Sequence, residues 1–158
     1  MKTLAALITA AALLFGSVAS SQAGFNLFGS FGQSRSQVVA TVSLSEQVMN
    51  LKVTDAYGRT ETYVWAVSTG KSGYDTPTGS WRPTWLSKNH KSKTYDNAPM
   101  PFAVFFTGGY AVHATDYVKR LGQPASHGCV RLAPENAAMF FDLVKTYGKA
   151  NTKIVVTQ

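Results

Sequence analysis

Strand-like alternation dominates this chain from residue 37 onward. Val38, Val39, Thr41, Val42 and Leu44 are mostly β-forming residues and predict a first strand, and Val48, Leu51 and Val53 continue into a second. Asp55-Ala56-Tyr57-Gly58-Arg59 reads as a turn, with Gly58 able to take positive φ. Thr60 to Ser68 predicts a third strand, and two hairpins in succession imply an antiparallel meander. Phe102–Phe106 and Tyr110–Thr115 flank the turn signal Thr107-Gly108-Gly109, a further hairpin that places His113 on its second strand. One segment has helical spacing instead: Ala137, Phe140, Phe141 and Val144 fall at i, i+3, i+4 and i+7. Pro134 and Glu135 suit its first turn and Gly148 its C-cap. Thr152–Thr157 predicts a closing strand, so the fold class is mainly β with one packed C-terminal helix.

The segments between these elements are polar. Residues 69–79 are too rich in glycine for a regular element. Gly70-Lys71-Ser72 is not a phosphate-binding loop, because the required glycine five residues earlier is Trp65 and no helix pattern follows. Residues 81–100 form a long polar run holding Trp81, Trp85, Tyr95, His90 and several basic residues. A loop of that length in a small domain is usually functional, and it reads as a flap over an active site. Tyr117 to Ala125 is a connector.

The N-terminus reads as a targeting segment. Lys2 precedes an apolar run from Leu4 to Phe15, and Ser21-Gln22-Ala23 offers small residues for cleavage after Ala23. The run is shorter than the ~20 residues of a membrane span, so an uncleaved anchor is the less favoured reading, and no cysteine follows it closely to carry a lipid. Residues 24–36, rich in Gly and Ser, then form a flexible leader, and 37–158 is one domain. The formal charge of +7 becomes +6 once Lys2 is removed, an excess that favours anionic cell-wall surfaces or simply solubility. No nucleic-acid partner and no stable membrane insertion after cleavage are expected.

The chemistry concentrates on the chain's single cysteine, Cys129, set in Ser126-His127-Gly128-Cys129-Val130-Arg131. An exported protein with one cysteine has no intramolecular disulfide, and a free thiol there is best explained by a chemical role. These neighbours suit an activated thiolate acting in acyl transfer, a reaction that needs a base, oxyanion donors and an acid for the leaving amine. His113 can serve as base and then acid, oriented by a backbone carbonyl, since Asp116 lies three residues on and would point to the other strand face. Gly128 lets the backbone approach a substrate, and the Gly128 and Cys129 amides are candidate oxyanion donors. His127 is given a supporting role. Arg131 shares the strand face of Cys129 and suits a thiolate or a substrate carboxylate. Trp85, Tyr95 and Tyr110 are candidate substrate contacts. A metal site is disfavoured, because the CxxC and HxxxH spacings are absent, and no cofactor is expected.

These residues carry a resemblance. Tyr110-Ala111-Val112-His113-Ala114-Thr115, followed by Ser126-His127-Gly128-Cys129-Val130-Arg131-Leu132, resembles the L,D-transpeptidase catalytic domain, a YkuD-like β-sandwich, over about residues 37–158. Val67-Ser68-Thr69-Gly70 and Thr76-Pro77-Thr78-Gly79 resemble further elements of that family. The resemblance implies Cys129 as nucleophile, His113 as general base, the Ala114 carbonyl as orienter of the imidazole, and His127 and Gly128 lining the oxyanion region, with Ser126 in support. Alanine stands at 114 where the family more often has glycine, which leaves a backbone carbonyl equally available. The implied substrate is a peptidoglycan tetrapeptide stem, cleaved after meso-diaminopimelate with release of D-Ala. The acyl-thioester then passes to another stem peptide or to a lysine of an envelope protein, and carbapenems would acylate the same thiol.

Two other readings compete: an L,D-carboxypeptidase, in which water resolves the thioester, and a catalytically idle wall-binding module. The pairing of His113 with Cys129 argues against the second, since wall binding needs no thiol. A sortase-like peptidase would place its arginine further beyond the cysteine, and a papain-like protease would place cysteine before histidine. The implied location is the periplasm or cell envelope of a bacterium.

Overall fold

The computed structural model describes residues 36–158; the expected signal peptide and nearly all of the leader lie outside them. Nine strands form two sheets: β1 (Gln37–Ser43), β2 (Val48–Thr54), β3 (Thr60–Ala66), β4 (Gly79–Trp81), β5 (Trp85–Lys91), β6 (Pro99–Thr107), β7 (Tyr110–Ala114), β8 (Val130–Leu132) and β9 (Thr152–Thr157). One α-helix, α1 (Pro134–Tyr147), precedes β9. The five-stranded sheet runs β3-β2-β1-β9-β4 and the four-stranded sheet β5-β6-β7-β8. The mainly β class with a single α-helix is therefore as expected.

Period-two alternation sets which residues fill the core. Val38, Ala40 and Val42 of β1, Met49 and Leu51 of β2, and Ile154 and Val156 of β9 are buried from the first sheet. Val104, Phe106, Val112, Val130 and Leu132 meet them from the second. Helix α1 lays Ala137, Phe140, Phe141 and Val144, the stripe read from its spacing, into the same core. Gly148 ends it at φ 85°, a conformation that favours glycine.

The meander β1-β2-β3 is present, but β9 inserts beside β1 in parallel, with Val38 opposite Thr152. Strands β7 and β8 also pair in parallel. The three-residue strand β4 was not legible as a strand, since a run so short carries no period, whereas the strand expected around Arg131 is present as β8. Residues 81–100 are not one flap: they hold the end of β4, all of β5 and the start of β6, and only 92–98 form a turn. Strand β5 looks polar because it is a sheet edge, and exposed edges carry lysines such as Lys88 and Lys91.

After β3 the chain leaves the first sheet and joins the second. The Ser68 amide donates to the Arg131 carbonyl at 3.0 Å, and the Arg131 amide returns a bond to the Ser68 carbonyl at 2.9 Å. This crossing brings the 69–79 loop against the cysteine loop.

Candidate active site

Strand alternation decides what faces the site. Val112 and Ala114 of β7, paired with Val130 and Leu132 of β8, point into the core. His113, paired with Arg131 between them, must then point outward, and so must Cys129 two residues before Arg131. His113, Cys129 and Arg131 line one cavity of about 530 Å³. Its walls come from the end of β7 with Thr115, Asp116 and Tyr117, and from the β5–β6 turn with Ser92, Tyr95 and Ala98. The turn thus supplies one wall, which is what remains of the expected flap.

His113 is buried, with Nδ1 2.7 Å from the carbonyl oxygen of Ala114. A carbonyl oxygen only accepts, so Nδ1 carries the proton and Nε2 is the basic nitrogen. Asp116 is exposed on the cavity wall. Burial pulls the imidazole pKa down to about 4, opposed by the Ala114 bond and aided by the charges of Arg131 and His90. The ring is therefore neutral at pH 7.

Cys129 is half-buried, packed beside Met100, Ala103, Phe105 and Ala111. Its Sγ lies 3.9 Å from the Gly109 carbonyl oxygen. Burial raises the thiol pKa, opposed by the Ala111 amide and by Arg131. The resting thiolate expected from the neighbouring residues is thus not favoured, because desolvation in this apolar patch outweighs the nearby cation. Thiol and imidazole face the cavity as a neutral pair.

The loop before Cys129 is held by hydrogen bonds that sequence reasoning did not foresee. Ser126, fully buried, donates from Oγ to the Cys129 carbonyl at 2.6 Å and accepts the Gly128 amide at 3.0 Å. The Gly128 N–H is thereby engaged inside the loop, whereas the Cys129 amide donates to no acceptor among the described residues. Buried Thr76 accepts the Gly70 amide at 2.9 Å and donates to the Gly128 carbonyl at 2.8 Å. Thr69, bound reciprocally to buried Gln47, receives the Ala125 and Ser126 amides on its carbonyl. Thr76 stood within a recognised Thr-Pro-x-Gly run, but nothing local indicated that its partner lies 52 residues away. Gln47 carried no signal.

Gly128 has φ +103°, and a Cβ there would come within 2.4 Å of the Tyr110 ring. Tyr110 is thus placed behind Gly128 rather than on the cavity wall. Tyr95 does line the cavity and stacks on His127, with ring centroids 4.6 Å apart and planes at 23°. Tyr74 meets the same imidazole edge-on at 4.4 Å. Desolvation lowers the His127 pKa, with Lys71 and Arg131 acting in the same direction. Arg131 Nη1 donates to the Ala125 carbonyl at 3.3 Å. Trp85 is not among the residues that line the cysteine cavity: it begins β5 and stacks on Phe105, on the sheet face that carries Cys129.

Fold and site together define a two-sheet β domain that presents a thiol and a tautomer-fixed imidazole in one cavity. The model of the L,D-transpeptidase catalytic domain, YkuD, matches residues 37–156, and the chain belongs to that family. Among solved structures it is similar to an L,D-transpeptidase from Mycobacterium smegmatis, at 23% identity and a TM-score of 0.65, covering 78% of this chain and 59% of that one. One from Stackebrandtia nassauensis is 25% identical with a TM-score of 0.64, covering 80% and 58%. An L,D-transpeptidase solved in complex with imipenem is 24% identical with a TM-score of 0.64, covering 77% and 59%. The chain thus spans about three-fifths of the length of these proteins. No curated sequence matches it.

Proposed function

We propose that this chain is an envelope L,D-transpeptidase that forms an acyl-thioester on Cys129. The observation that carries this reading is the shared cavity of Cys129 and neutral, tautomer-fixed His113. The neutral pair supports concerted proton removal. As Sγ attacks the meso-diaminopimelate carbonyl carbon that is bonded to the D-Ala nitrogen of a tetrapeptide stem, His113 Nε2 takes the thiol proton. The Cys129 amide stabilises the oxyanion. Collapse breaks the C–N bond, and the proton on His113 passes to the departing amine of D-Ala. An incoming amine, from a second stem or an envelope-protein lysine, then attacks the thioester, loses its proton to His113 and releases the thiolate, which is reprotonated. Arg131 lines the cavity and suits a substrate carboxylate.

Mass spectrometry of purified disaccharide-tetrapeptide after incubation with the protein tests this. Cross-linked dimers with loss of D-Ala are expected, and Cys129→Ala should produce none. Tripeptide monomers alone would assign a hydrolase, the runner-up. Turnover by Cys129→Ala would overturn the mechanism.

A further inference from the structure

Four residues stand in one row across the second sheet. Trp85 of β5 pairs with Phe105 of β6, and Phe105 pairs with Ala111 of β7. The parallel register of Val112 with Val130, continued one residue back, sets Ala111 beside Cys129. Paired residues share a sheet face, so the indole stands on the face that carries the thiol. Three inter-strand steps of ~4.7–4.9 Å put Trp85 about 14 Å from Cys129 along this row. Between the two ends the row is closed, with Ala111 fully buried and Phe105 only 4% exposed. Trp85, on the edge strand, is 45% exposed. Its ring is nevertheless held: it lies parallel to the Phe105 ring, with centroids 4.2 Å apart and planes at 4°, and the His90 ring meets it edge-on at 5.3 Å. One indole face is thus covered and the other is open.

The need to cover Phe105 accounts for a large apolar residue at position 85, and an aliphatic side chain would meet it. It does not account for a flat, immobilised aromatic ring left half open to water. We propose, resting on the transpeptidase reading above, that Trp85 is a stacking subsite for the amino-sugar ring that carries the stem peptide. The enzyme then recognises glycan-linked stems over free ones. Two arguments select this occupant. A stem of alanine, glutamate and diaminopimelate has no aromatic group, so the apolar C–H face of the pyranose is the part of such a substrate that matches an open indole. The second argument is length. Three residues separate the reacting carbonyl from the sugar and span ~10–11 Å when extended. The ether arm that joins them to the ring adds the remainder. A stem lying over the row therefore sets its sugar against Trp85 while its carbonyl meets Sγ. A protein acceptor is disfavoured, because one ring offers far less than the ~1,000 Å² that a stable protein interface covers.

Initial rates of the full protein on disaccharide-tetrapeptide, and on the same tetrapeptide without its sugars, test this. The wild type should use the disaccharide form with a KM about tenfold lower. Trp85→Leu still covers Phe105 but offers no flat ring. It should raise that KM about tenfold, leave kcat nearly unchanged and erase the preference, because a remote contact made equally in ground and transition states acts on KM. Trp85→Tyr should keep the preference. Acylation of Cys129 by a carbapenem, which carries no sugar, should be unchanged in both variants. Slower acylation in Trp85→Leu would make the residue a support of the thiol and overturn the proposal. Equal KM of the wild type for the two substrates, or an equal change for both in Trp85→Leu, also overturns it and leaves the transpeptidase reading standing. A loss confined to transfer onto a lysine peptide reassigns the ring to a protein acceptor, against the proposal. Turnover of neither substrate by the wild type refutes the transpeptidase reading, and the sugar subsite falls with it.

Discussion

The Nδ1 of His113 and the carbonyl oxygen of Ala114, 2.7 Å apart, fix which imidazole nitrogen is basic before any substrate arrives. Both residues sit on β7, where alternation buries Ala114 in the core and turns His113 to the cavity. The orienting group is therefore as rigid as the strand itself, and no carboxylate is needed.

Removal of the base should slow chemistry without removing the nucleophile. His113→Ala is expected to reduce acylation of Cys129 by a carbapenem about 10²–10⁴-fold, the usual contribution of a positioned base. Stopped-flow absorbance of the β-lactam measures this, and an unchanged rate removes His113 from the role.

Acylation should follow the deprotonation of His113. With its pKa near 4, the rate should climb in that region and level off before neutrality. The thiol, whose pKa burial raises, stays protonated across that plateau. A rate that instead keeps rising through the alkaline range would indicate attack by free thiolate and no base.

The same shift predicts acid destabilisation. His113 titrates near 6.5 when unfolded and about 4 when folded, so between those values the unfolded chain binds the extra proton. Its contribution is complete above 6.5 and is lost as pH falls toward 4, for a total of about 3 kcal/mol. Denaturant unfolding at pH 7 and pH 4 should show a larger loss for the wild type than for His113→Gln, which has no proton to gain.

Gly128→Ala should disturb the loop in two ways, through a φ of +103° and through contact with the Tyr110 ring. A cost of about 1–3 kcal/mol is expected. Adding Tyr110→Ala should recover part of it by relieving the contact alone, which thermal unfolding of both variants would reveal.

Thr76→Val keeps the shape of the side chain but leaves the Gly70 amide and the Gly128 carbonyl without their hydroxyl partner. Loss of about 1–3 kcal/mol is expected, together with slower acylation as the Cys129 loop loosens. Thr76→Ser should retain both. Equal behaviour of the two variants would show that the hydroxyl does not matter.

Local pattern made much of this protein legible. Three strands of the meander, the His113 hairpin and helix α1 could be read from residues alone because period-two and 3.6-residue patterns report which face is buried. The cysteine motif was equally legible, since its residue types sit together in sequence. Strand β5 was misread because an edge strand exposes too many polar residues to look like one. The parallel pairings β1–β9 and β7–β8 join distant segments, and no local signal encodes such partners.

The sequence by itself determined the family, the mainly β class and the identities of the thiol and the imidazole. The tertiary structure alone decided their state. Burial made the pair neutral, contrary to the expected thiolate, because desolvation depends on what packs around a group and not on its chain neighbours. Chain crossing likewise brought Thr76 to Gly128, since that contact closes only when the whole chain has folded.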